Sequence, residues 1–122
     1  MNKEKQKIVP ELRFPEFAND GEWKEKTIDD IKTIVTDYVA NGSFASLKEN
    51  VEVVSSKDYA YYIRLTDLRA GLGHIAQKYV TKKSYDFLKK SSLSGDEILM
   101  ANIGANVGEV WQMPKVDKPS SL

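Results

Sequence analysis

The chain has 122 residues, 41% of them hydrophobic and 30% charged, with 18 basic side chains set against 18 acidic ones. That length builds one domain with a modest core. Zero net charge excludes a protein held on nucleic acid by bulk positive charge, and the absence of cysteine excludes disulfides and thiolate chemistry and fits a reducing cytoplasm.

The start of the chain, Met1 to Lys7, is charged and has no apolar stretch behind it, unlike a secretory signal. No apolar run approaches the roughly 20 residues of a membrane helix, so a cytoplasmic location and no membrane partner are expected. Residues 1–20 read as an N-terminal arm. Pro10 and Pro15 interrupt any long helix, Leu12, Phe14 and Phe17 are apolar anchors, and Asn19-Asp20-Gly21 is a turn. Trp23, Ile28, Ile31 and Ile34 mark a buried element, in which Thr27 ahead of Asp29 and Asp30 starts a short helix and Thr33–Val39 forms a strand.

Asn41-Gly42-Ser43 is a second turn signal, followed by a polar excursion from Ser46 to Asn50. Val51–Val54 and Tyr59–Leu65 have the β-branched and aromatic content of strands. In the second run, Tyr61, Ile63 and Leu65 alternate with Tyr62, Arg64 and Thr66, which predicts a core face and an open face. Asp67 to Gly73 turns the chain. Residues 81–92 carry the strongest helix signal, with Thr81 or Ser84 as its cap. From Lys78 to Lys90 the chain carries Lys78, Lys82, Lys83, Lys89 and Lys90 against Asp86 alone, as a basic patch or a solvated helix face.

Ile98–Ile103 and Val107–Trp111 are two apolar runs around a glycine-spaced turn bearing Asn102 and Asn106. Such a turn presents amide donors and acceptors between two strands and holds no acid, histidine or cysteine. Pro114 and Pro119 break the pattern, and nothing after Trp111 reads as a closing helix or strand. The core is then complete without one, or the chain is the front of a larger domain. The fold class expected is α+β: a twisted, mostly antiparallel sheet with one or two short helices.

Catalytic and metal signatures are missing. His74 is the sole histidine and has no ligand spacing around it. Gly104 and Gly108 belong neither to a dinucleotide fingerprint nor to a phosphate loop, and no Gly-x-Ser-x-Gly elbow occurs. Glu22-Trp23-Lys24 resembles half of a metal-dependent nuclease motif, but Asp20 stands too close in sequence to serve as the separate acid.

Three segments, in order, resemble the beginning of a DNA specificity subunit of a type I restriction-modification enzyme. They are Val9-Pro10-Glu11-Leu12-Arg13-Phe14-Pro15-Glu16-Phe17 with Gly21-Glu22-Trp23 and Ile28-Asp29-Asp30-Ile31; then Tyr62-Ile63-Arg64-Leu65-Thr66-Asp67-Leu68; then Leu93 to Gly108. The resemblance implies a non-catalytic chain without cofactor, in which residues 21–122 form part of one target-recognition domain. Such a domain reads half of a split site in double-stranded DNA. It also implies methyltransferase subunits, which bind S-adenosylmethionine, and an ATP-driven motor-nuclease subunit as partners. The spacer helices and second recognition domain of that family are missing here.

On this reading Lys82, Lys83, Lys89, Lys90 and Arg69 face phosphates. Arg64, Asn41, Ser43, Asn102 and Asn106 read bases, with Tyr62 packed against sugar or base. The competing role for Arg64 is an ion pair with Asp67 or Glu97, and for Asn102 and Asn106 it is capping of their own turn. The alternative from another class is a protein-interaction module that binds methyltransferase subunits or a second copy of itself without touching DNA.

Overall fold

The computed structural model describes residues 9–32 and 34–122. The chain divides into two units between Val35 and Thr36.

In the first unit Pro15–Phe17 form a 3-10 turn. Arg13 fastens the following turn, its guanidinium donating to the carbonyls of Phe17, Asp20 and Gly21. Helix α1 (Ile28–Ile31) has the expected start. Thr27 Oγ1 accepts from the Asp30 amide at 3.2 Å, and the Thr27 amide donates to the Asp30 carboxylate at 2.7 Å, a reciprocal cap. The expectation of a buried element here is not met: Trp23, Ile28, Ile31 and Ile34 are all more than 60% exposed. One turn of helix is too short to build an apolar stripe. Nor do the described residues of 33–39 form a strand; Tyr38–Asn41 close into a 3-10 turn instead, and Thr33 lies outside the described residues.

The second unit is α+β. Its elements are α2 (Phe44–Asn50), β1 (Val53–Val54), β2 (Ala60–Tyr62), α3 (Leu65–Ala70), β3 (Lys78–Val80), α4 (Lys82–Phe87), β4 (Ser92–Leu93), β5 (Ile98–Met100), β6 (Val110–Gln112) and β7 (Ser120–Ser121). Five strands pair in the order β1-β3-β2-β7-β4, and β5 and β6 form a separate hairpin. Every pairing is antiparallel except β2 with β7. Leu47, Ala60, Val80 and Leu88 form the core, with Tyr38, Val51, Tyr62, Tyr85 and Phe87 packed on it. Tyr61 faces Tyr79 across β2 and β3, ring centroids 5.4 Å apart, the aromatic cross-strand pair that favours this register.

Three elements differ from the sequence-based expectation. The polar stretch 46–50 belongs to α2, capped by Ser43 and pinned by buried Leu47. The turn expected from Asp67 to Gly73 begins instead inside α3. A last strand does exist. Ser120 and Ser121 lie fully buried between β2 and β4, where the Tyr61 amide donates to Pro119 O at 2.9 Å and the Ile63 amide to Ser121 O at 2.8 Å. Buried serines are tolerated because their hydroxyls find partners: Ser121 Oγ lies 3.1 Å from Ser91 Oγ, and Ser120 Oγ donates to Lys118 O at 3.2 Å. Helix α4 starts as expected, with Thr81 rather than Ser84 as the cap. Among the described residues no helix is long and apolar enough to cross a membrane.

Candidate functional site

The hairpin β5–β6 is set up by its entrance. The carboxylate of Glu97 accepts from the Ser94 amide at 2.6 Å, the Ser94 hydroxyl at 2.7 Å, the Gly95 amide at 2.9 Å and the Asp96 amide at 3.1 Å. Burial works against the charged form, but these donors outweigh it and hold the carboxyl at about 2. Gly95 is required here. Its φ is +107°, and a Cβ would sit 2.9 Å from Lys115 Cγ.

Ile98, Leu99 and Met100 pair with Gln112, Trp111 and Val110. Leu99 and Trp111 turn toward α3, where they line a small apolar cleft of about 90 Å³ together with Ile63, Leu65, Leu68 and Leu122. Ile98, Met100 and Val110 are exposed on the hairpin. Beyond the paired residues every position from Asn102 to Gly108 is exposed. Gly104 and Gly108, both at positive φ, let the tip close. Asn102 makes no side-chain hydrogen bond among the described residues, and Asn106 accepts from Arg69 Nη2 at 3.0 Å. Neither asparagine caps its own turn.

Arg69 reaches the hairpin from the last turn of α3. Its Nε donates to Glu109 Oε1 at 2.9 Å, and its Nη2 bonds Glu109 Oε2. Glu109 Oε1 also accepts from Trp111 Nε1 at 2.7 Å. The Arg69 and Trp111 donors hold the Glu109 carboxyl below the usual range, and Glu109 in turn raises the guanidinium. Arg69 therefore stands on the hairpin as half of a neutral pair, where the sequence predicts an uncompensated phosphate contact.

Arg64 is engaged too. Its backbone amide and Nε each donate to Asp67 Oδ2 at 2.9 Å, and Nη2 donates to Asp67 Oδ1 at 2.8 Å and to Ala76 O at 2.9 Å. The competing ion-pair role is the one the geometry contains, with Asp67 and not Glu97 as partner. His74 Nε2 lies 2.7 Å from the same carboxylate. Asp67 is fully buried; burial alone raises its carboxyl, but the bonds from Arg64 and His74 hold it below the ordinary value.

Tyr62 is not on an open face. It shares the face of β2 that carries buried Ala60, packs on the core and meets Tyr38 edge-on, centroids 6.1 Å apart. Asn41 spends its amide inside the fold. It donates to Tyr38 O at 2.9 Å and Ser91 Oγ at 2.7 Å and accepts from the Lys90 amide at 2.9 Å. Ser43 accepts from the Ser46 amide to cap α2. Lys82 pairs with Asp86 at 2.8 Å and lies 5.5 Å above the Tyr59 ring. Lys83, Lys89 and Lys90 are exposed and form no ion pair among the described residues.

Of the predicted site residues, then, Asn106 and Arg69 come together at the hairpin, with Asn102 on the same tip. Glu109 and Trp111 complete that cluster, and sequence reasoning misses both roles because the partner Arg69 is 40 positions from Glu109. Comparison with protein-family models, with curated proteins and with solved structures returns no match.

Proposed function

We propose that the chain is a non-catalytic DNA-recognition module that reads a half-site for a type I restriction-modification complex, with methylation and cleavage carried out by partner subunits. The observation that carries this reading is the β5–β6 hairpin, whose tip from Asn102 to Gly108 is wholly exposed and bears two asparagines. A two-stranded ribbon is one of the shapes the DNA major groove admits, and amides are among the side chains that read base edges there. Exposed Lys83, Lys89 and Lys90 are available to phosphates. The resemblance of three ordered segments to the specificity subunits supports the same assignment.

The test is assembly with a type I methyltransferase subunit, followed by mapping of methylated adenines. Sites that share a half-sequence only when this chain is present are expected. Methylation indifferent to the chain, or DNA cleavage by the chain alone with magnesium, overturns the reading.

One observation favours a second reading, a protein-interaction module: Ile98, Met100 and Val110 leave the paired part of the hairpin apolar and exposed. On that reading the hairpin meets a methyltransferase subunit or another copy of the chain.

A further inference from the structure

We infer that the Arg69–Glu109 pair fixes Asn106 as a hydrogen-bond donor, which makes Asn106 a reader of acceptor-only base edges, guanine above all. This deepens the DNA-recognition reading and rests on it. A guanidinium has five donors and no acceptor, so the Asn106 atom 3.0 Å from Arg69 Nη2 must be its oxygen. The guanidinium cannot turn away easily, because Nε and Nη2 are both held by Glu109, and Glu109 is itself held by the Trp111 indole. The amide nitrogen of Asn106, with no partner among the described residues, is the end left facing solvent on an exposed tip.

That orientation changes what Asn106 recognises. Pairing with adenine in the major groove needs both ends of the amide, the oxygen for N6–H and the nitrogen for N7. With its oxygen turned onto Arg69 and one lone pair of it taken, Asn106 presents its N–H end to the base. Guanine presents two acceptors there, O6 and N7, and no donor. Arg69 Nη1, also without a partner among the described residues, adds donors of the same kind from the same cluster. Arg69 and Glu109 are thus positioning residues whose effect is on base preference, since Glu109 already neutralises the guanidinium charge.

The experiment is selection of bound duplexes from a randomised pool by the full chain and three variants, each first checked for an unchanged melting curve. The wild-type chain is expected to enrich guanine at one position. Asn106→Asp keeps the acceptor toward Arg69 and removes the donor, and should exchange that guanine for a base presenting a donor, with about a tenfold change in preference. Glu109→Gln and Arg69→Ala free the amide to turn, and should admit adenine at the same position while others stay fixed. Enrichment in which no position responds to Asn106→Asp, or adenine there in the wild type unaltered by Arg69→Ala, overturns the inference and leaves the DNA reading standing. No enriched sequence from the wild-type chain removes both.

Discussion

Glu97 shows what one side chain contributes at the entrance to the hairpin. Four donors converge on its carboxylate from three consecutive residues, so ionised Glu97 holds the Ser94–Asp96 turn in shape. Because its folded value of about 2 lies below the ordinary 4.5, its contribution is complete above pH 4.5 and is withdrawn as pH falls from there toward 2. Glu97→Gln should lower stability at pH 7 by about 1–2 kcal/mol, a range reduced for the solvent that still reaches the group. Urea titrations at pH 7 and pH 3 check this. The gap between wild type and variant should shrink in acid, and a gap unchanged between the two would show that the charge of Glu97 is not what holds the turn. Arg64 carries a related lesson. Its guanidinium satisfies buried Asp67, so its removal weakens the fold before it says anything about DNA.

At the scale of elements, β7 joins the two sides of the sheet. It is the neighbour of both β2 and β4, and its two serines are fully buried. A chain ending at Lys118 should lose its cooperative thermal transition, because β4 has no other partner in the sheet and β2 gains an open edge. Circular dichroism melting reads this directly, and a transition retained within a few degrees would show the sheet to be independent of β7. The sequence conceals this strand for a physical reason. Ser120 and Ser121 have little strand preference, and they are placed by backbone bonds to Tyr61 and Ile63, about sixty residues earlier. Helix α2 is hidden in the same way, since buried Leu47 rather than its polar neighbours decides its face. Local signals read correctly where the physics is local. The Thr27 and Thr81 caps need only three residues, and the β5–β6 hairpin needs two apolar runs and the glycines between them. The tip asparagines were legible for that reason. The tie from Arg69 to Glu109 was not, and neither was the internal use of Asn41, whose partner Ser91 lies 50 positions away.

For the molecule as a whole, zero net charge constrains how the proposed recognition of DNA could work. Affinity gained from phosphate scales with the number of counterions released, about 0.9 in the log–log salt slope for each contact. Lys82 and Arg69 are already paired with carboxylates, which leaves Lys83, Lys89 and Lys90 as the exposed cations of the predicted set without an ion pair among the described residues. Changing these three to Gln should therefore lower the salt slope by about 2–3 while leaving base preference intact. Changing Met100 and Val110 to Lys should do the reverse of what an interaction surface requires, abolishing any self-association seen by sedimentation, because a desolvated charge is excluded from an apolar contact. The two variants separate the two readings. A slope unmoved by the lysine changes takes those side chains off the phosphates, and with no bulk charge to replace them a neutral chain has too little electrostatic attraction for DNA. If the apolar changes then dissolve an assembly, the hairpin is a protein contact. A slope that falls, in a chain whose oligomeric state ignores Met100 and Val110, favours DNA recognition over the protein contact.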